Sequence, residues 1–215
     1  MLELTTPYIA HQFDDADQQH QASALGMWLF LITEIMFFGG LFTTYVVYRT
    51  AFPAAFHAAS KELDIALGAL NTVVLITSSL TMALSVHAAQ VNRRAMLVLC
   101  LILTMLLGST FLGVKAYEYW HKWHEHLVPG PNFAFHGADP TNAQLFFSLY
   151  FAMTGLHALH MIIGIGLLGV LTVRAAQGMF SRFYFTPVEM SGLYWHFVDL
   201  VWIFLFPLLY LLGRH

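Results

Sequence analysis

The stretch LFFSLYFAMTGLHALHMIIGIGLLGVLTV, Leu145 to Val173, decides the fold class. It contains no Asp, Glu, Lys or Arg, and its only side chains that ionise near neutral pH are His157 and His160. A bilayer's hydrocarbon core needs about 20 apolar residues per helix, so this stretch is long enough to span with tilt or to protrude. Four more segments qualify. The first, about 24–47, has Glu34 as its only charged residue; the second, 65–89, is uncharged but carries Asn71. The third, 96–114, is uncharged throughout, and the last, 190–212, holds His196 and Asp199. Strands of a membrane barrel would be shorter and would alternate apolar with polar residues, whereas these runs are continuous. The fold class is therefore all-α: a polytopic membrane protein, built as a bundle of five transmembrane helices.

Composition agrees. Of 215 residues, 58% are hydrophobic and 10% charged, against about 45–50% and 25% in soluble domains. Mean hydropathy is +0.65. So few charges cannot cover that much apolar surface in water, so lipid is the natural solvent. A net charge of −3 supplies no basic field, and no nucleic-acid partner is expected. The single cysteine, Cys100, excludes an intrachain disulfide, a two-cysteine copper site, a CxxCH haem attachment and a cysteine-rich zinc or iron–sulfur site.

The chain divides into a polar N-terminal arm, 1–23, and a five-helix domain, 24–215. The arm carries Glu3, Asp14, Asp15 and Asp17 but no Lys or Arg, the reverse of a signal peptide's first segment. Thr50 to Asp64 reads as a short link with Pro53, Gln90 to Ala95 as a tight turn, and Lys115 to Asn142 as the largest polar segment. In the second span Thr77, Thr81, Ser85 and Ala89 form a stripe of small residues suited to close packing against another helix. Orientation is undecided by charge. With the N-terminus inside, Arg93, Arg94, Arg174 and Arg182 face Arg49, Lys61, Lys122 and Arg214, with Lys115 at a helix end.

Polar residues within the spans are the candidate functional groups. Glu34 should be neutral or partnered, either as a proton- or cation-handling carboxylate or as a protonated carboxyl holding the bundle in register. His157 and His160, three apart, share one helix face. They could ligate a metal, or a haem with a partner such as His87 or His196, but a pair of neutral imidazoles bonded across the bundle explains them more simply. His121, His124 and His126 read as solvated interfacial residues, and no metal site is expected. His196 and Asp199, also three apart, read as a local structural pair sharing a proton, with Trp195 a plausible interfacial anchor. Arg174, ending the fourth span, can bind a lipid phosphate bidentately or serve as a plain topological charge.

The same positions carry a family resemblance. Leu193-Tyr194-Trp195-His196-Phe197-Val198-Asp199-Leu200-Val201-Trp202 matches the YWHFVDxVW signature of subunit III of the haem–copper oxidases, the cytochrome c oxidase subunit III family. Thr154 to Gly164 resembles its TGxHxxHxxxG motif, and Thr33-Glu34 with Phe37-Phe38-Gly39-Gly40 resembles its glutamate helix. Leu70-Asn71-Thr72 and Glu118-Tyr119 fall where the family has the same residues. Five motifs in order, from about Ala24 to Gly213, are far more specific than any one.

The resemblance implies an accessory subunit with no cofactor of its own. Haems and copper are expected in partner subunits, with direct packing on subunit I, subunit II in the same complex, and bound phospholipid supporting sustained proton uptake. It implies an intramembrane polar network of Glu34, His157, His160, His196, Asp199 and Glu118, with Arg174 at a lipid headgroup. It also implies a bacterial inner (plasma) membrane and a cytoplasmic N-terminus. Many members have seven helices, the first two walling a lipid cleft; that wall is missing here. Alternatives are the related subunit of a quinol oxidase or nitric oxide reductase, or a free-standing haem b electron carrier.

Overall fold

The computed structural model describes residues 9–10, 12–137, 139–182 and 184–212. Residues 1–8 of the expected arm, and Arg214, lie outside the described residues. The helices are α1 (Ala16–Ala51), α2 (Pro53–Ser60), α3 (Ile65–Gln90), α4 (Arg94–His124), α5 (Pro140–Ala176) and α6 (Thr186–Phe206), which widens into a π-helical turn over Pro207–Leu211. Pro207 has no N–H for the regular ladder, which accounts for the widening at that point. Five of these elements are long and apolar enough to cross a membrane. The protein is the all-α, polytopic membrane bundle that its hydropathy implied.

The helix ends differ from the apolar boundaries, and local chemistry explains each difference. α1 starts at Ala16, inside the segment read as an arm, because the Asp15 carboxylate accepts the Gln18 amide at 2.7 Å and caps the helix. It stops at Phe52, the residue before Pro53, whose ring disfavours helical geometry just upstream. Pro53 then starts α2 within the segment read as a link. α4 continues past Val114 to His124. α3, α4 and α5 each end in a Schellman turn, with Asn92, His126 and Gly178 in the left-handed region. In the first, Arg93 N–H bonds the Ala88 carbonyl and Asn92 N–H that of Ala89. The Asn142 amide side chain and then its backbone N–H bond Asp139 at the start of α5, holding that carboxyl below the usual carboxylate range.

α3, α4, α5 and α6 close into a ring, each packed on the next and α6 back on α3. α1 lies outside this ring, against α5 and α6, with α2 bridging to α5. Along the α3–α6 seam the contacts run in opposite chain directions: Gly68 meets Phe206, Thr72 meets Trp202, Ser78 meets Trp195 and Ser79 meets His196. The small-residue stripe on α3 turns largely inward. Thr81 meets Thr104 of α4 at 2.7 Å, and Ser85 and Ala89 are buried, leaving only Thr77 exposed.

The ring is filled by two tryptophans from α6. Trp195 donates its indole N–H to Ser78 Oγ at 2.8 Å, while its ring lies against Gly108 of α4 and Gly164 of α5. Trp202 donates to Thr72 Oγ1 at 3.0 Å and packs edge-on to Phe111, ring centres 4.8 Å apart. With the His157 ring of α5 5.4 Å from that of Trp202, each indole touches three neighbouring helices. Trp195 is 1% exposed, which corrects its reading as an interfacial anchor. Its N–H finds a partner inside the bundle, so it has no need of headgroups.

A β-carbon at Gly108 would lie 2.8 Å from the Trp195 ring, closer than real packing allows. Gly108→Ala is expected to lower stability by about 1–3 kcal/mol through overpacking, measured by thermal unfolding in detergent. Gly113→Ala, on the same helix with open space around it, should cost nothing comparable.

Candidate functional site

The polar side chains inside the membrane gather into separate groups. The first joins α1 to α5. Glu34 Oε2 lies 3.1 Å from His160 Nε2, and His160 Nδ1 lies 2.8 Å from the Leu156 carbonyl. A carbonyl only accepts, so Nδ1 carries a proton. The contact to Glu34 then needs one further proton between carboxyl and imidazole, held either as acid and neutral ring or as carboxylate and imidazolium. Either arrangement satisfies the 3.1 Å contact. Phe38 packs on the His160 ring at 5.5 Å between ring centres, and Tyr194 of α6 donates its hydroxyl to the His160 carbonyl at 2.9 Å.

The second group ties α4, α5 and the end of α6. Lys115 and Glu118 are each 3% exposed, with Nζ 2.8 Å from Oε2. The ammonium also donates to the hydroxyls of Tyr150 at 3.0 Å and Tyr210 at 3.1 Å, so all three of its protons are used. Tyr210 in turn donates to Glu118 Oε1 at 2.6 Å. The rings of Tyr119, Tyr150, Trp202 and Tyr210 surround the cation at 5.0–5.7 Å. Glu118 carries the resemblance, and Lys115 is a buried group inside α4 rather than a helix-end charge. Their spacing of three was the available signal. Nothing local could have named Tyr150 or Tyr210.

The third group corrects an expectation. His196 and Asp199 make no pair with each other. His196 Nδ1 lies 2.7 Å from Ser79 Oγ on α3, and the same hydroxyl is the polar neighbour of the buried Asp199 carboxyl. A spacing of three fixes a shared helix face, but the α3 hydroxyl reaches the imidazole first. His157 also stands apart from His160. It is 1% exposed, wedged between the rings of Phe111 and Trp202 at 5.3 and 5.4 Å, with both nitrogens unpartnered. Asn71, equally buried, has neither amide atom bonded. The described residues hold no group of three metal-ligating side chains.

Arg174, in the last turn of α5, stands at the margin of a groove between α1, α5 and α6 of about 570 Å³. Met27, Phe30, Ile163, Leu167 and Val170 give that groove apolar walls, with Ser191 and Tyr194 on its α6 side.

A model of the cytochrome c oxidase subunit III family matches residues 14–214. The chain is similar to cytochrome c oxidase subunit 3 of Synechocystis, 38% identical over 188 residues, covering 87% of this chain and 74% of the relative. It is similar to that of Bacillus subtilis, 32% identical over 189 residues (88% and 86%). A probable quinol oxidase subunit 3 of Staphylococcus haemolyticus is 28% identical over 200 residues (93% and 94%).

Two outcomes are expected of the polar groups. Lys115→Met should cost about 3–5 kcal/mol, because it strands a buried carboxylate. Adding Glu118→Gln should recover much of the loss, read by unfolding in detergent. Glu34→Gln should stay within about 1 kcal/mol of the parent, since its amide N–H can donate to His160 Nε2, whereas Glu34→Ala should lose about 1–3 kcal/mol. Equal losses from Gln and Ala would sink the hydrogen-bond account.

Proposed function

The chain belongs to the cytochrome c oxidase subunit III family, and we propose that it serves a cytochrome c oxidase as a cofactor-free accessory subunit that binds subunit I and phospholipid. In this reading haems and copper reside in subunits I and II. The chain keeps proton uptake into subunit I running during sustained turnover. The observation that carries it is the Arg174 groove. A guanidinium beside an apolar groove of about 570 Å³ matches a phospholipid at both ends: phosphate to the fork, hydrocarbon to the walls. The Glu34–His160 pair, on the same α1–α5 side, is a proton-bearing group without an onward chain of donors among the described residues. That fits support of proton traffic better than an obligatory route through it.

Membership of a bacterial inner (plasma) membrane, with a cytoplasmic N-terminus, belongs to the same proposal. The five membrane-capable elements already make the protein multi-pass. A second reading, in which quinol is the electron donor, is favoured by the likeness to the Staphylococcus protein along nearly the whole of both chains. The complex purified through a tag on this chain decides between them. Oxidation of reduced cytochrome c supports the first, and oxidation of quinol alone overturns it. A Soret band from the chain stripped of its partners would instead revive the haem b carrier.

Arg174→Ala is expected to lose bound phospholipid from that complex, counted by mass spectrometry, with haem content unchanged. Oxygen consumption should start near the parent rate and decay faster. Arg174→Lys should recover part of both, because a point charge keeps the attraction but loses the bidentate fork. Unchanged lipid and unchanged decay would reduce Arg174 to a topological charge.

A further inference from the structure

The last ten residues of α4 are built inside out. Lys115, Glu118 and Lys122 are buried, while Tyr117, Trp120 and Trp123 are 56%, 59% and 67% exposed. Helical spacing puts Trp120 on the face that carries Leu106 and Leu99, fourteen and twenty-one residues earlier, and both leucines are exposed. One uncovered stripe therefore runs from aliphatic to aromatic, the change that marks the passage from hydrocarbon to headgroups.

Depth supports the same placement. Gly108 meets Met161, Phe111 meets His157 and Lys115 meets Tyr150, so α4 and α5 run in opposite directions. Lys122 lies seven residues beyond Lys115 on α4, and Arg174 lies twenty-four beyond Tyr150 on α5. At about 1.5 Å per residue, the two cations are about 46 Å apart along the bundle. A bilayer with its headgroups is about 40–45 Å thick. Arg174 and Lys122 therefore stand at the headgroup layers of opposite leaflets.

A cavity of about 500 Å³ opens beside Lys122, between the 61–67 segment and the α4 tail, with Tyr117 and His121 of the exposed face in its lining. Lys122, 4% exposed, donates to the Glu62 carbonyl at 2.7 Å and to Glu125 Oε2 at 2.6 Å. Its third proton has no partner among the described residues. Lys61 and the carboxylates of Glu62, Asp64 and Glu125 also line the cavity. Glu118 reaches it too, with its charge answered by Lys115. Both signs are present and the acids are not outnumbered. Such a lining disfavours a net anion and matches a headgroup that bears phosphate and ammonium together. The Arg174 groove differs, because no other charged side chain lines it.

We propose that this cavity is a second phospholipid site, in the leaflet opposite the Arg174 groove, selective for a zwitterionic headgroup of the phosphoethanolamine class. The phosphate faces Lys122, the ammonium faces Glu62 and Asp64, and an acyl chain descends the stripe from Trp120 past Leu106 to Leu99. The site rests on membrane placement alone, not on which oxidase the chain serves.

The test uses the full chain, delipidated in detergent, in an Arg174→Ala background that removes the groove's contribution. Phosphatidylethanolamine, phosphatidylcholine or phosphatidylglycerol is added singly, and bound lipid is read by native mass spectrometry. Phosphatidylethanolamine is expected to bind about five- to tenfold more tightly than the other two, since choline offers no N–H and the glycerol headgroup no cation. Lys122→Met and Glu62→Gln should each remove about that preference. Glu62 is exposed, so its variant should melt with the parent and keep the test valid should Lys122→Met fold poorly. A photo-reactive residue at Trp120 should label the lipid's headgroup or glycerol, and one at Leu106 its acyl chain. Equal binding of the three lipids, or a preference untouched by Glu62→Gln, overturns the site. Acyl-chain adducts from Trp120 overturn its depth. Displacement of the lipid by an equal concentration of free O-phosphoethanolamine would make the cavity a soluble zwitterion's site and overturn the lipid assignment.

Discussion

A lipid solvent supplies no hydrogen bonds, and that absence governs where every polar atom of this bundle sits. In water a stray hydroxyl or ammonium is solvated at little cost. Inside a membrane its partner is its own helix's backbone, as for Thr43, Thr44 and Thr77, or a group on another helix. The α3–α6 seam shows the consequence: hydroxyls of Thr72, Ser78 and Ser79 on one helix meet the ring nitrogens of Trp202, Trp195 and His196 on the other. These contacts cannot form out of register, because a shift along the seam would orphan all of them at once. Hydrophobicity places the helices in the membrane, but polar complementarity decides which lie beside which.

The same constraint separates structural from functional groups. Lys115 and Glu118 are charged yet fully consumed: each ammonium proton has an acceptor, and both carboxylate oxygens are bonded. Such a cluster locks α4, α5 and the end of α6 together and offers nothing to a ligand or a proton. Glu34 and His160 differ because one proton serves both groups and either can hold it. They are also less enclosed, at 19% and 14% exposed. Chemistry that moves is found where satisfaction is complete in more than one way.

How much of this was legible in the sequence follows from the reach of each signal. The five spans were plain, because the lipid imposes a continuous apolar run. Helix ends were not. Hydropathy marks where hydrocarbon stops, while α1 begins where Asp15 caps it and α4 ends where His126 turns left-handed. Spacing put His157 with His160, and His196 with Asp199, on common faces. It could not say that Glu34, 126 residues away, takes the first pair's outer member, or that Ser79 intercepts His196. Helical periodicity reports direction, and only the assembled ring reports distance. The resemblance reached further, because its motifs marked Glu118, which periodicity alone had left as one more residue of a polar segment.

The position of α1 outside the ring has a bearing on how the protein is made. Among the described spans α1 comes ahead of the others in the chain, yet beyond the short α2 its contacts are with α5 and α6, the last two. At about 5–20 residues per second, the ribosome takes roughly 6–25 s to produce the 126 residues between Glu34 and His160. Throughout that interval Glu34 lacks its α5 partner, and its acidic side chain must be sheltered by the insertion machinery, by lipid defects or by another protein. The ring of α3 to α6 assembles from consecutive hairpins, while α1 waits and docks last. Biogenesis of this chain is therefore discontinuous, and its most vulnerable nascent state is a lone helix bearing the residue on which the finished proton pair depends.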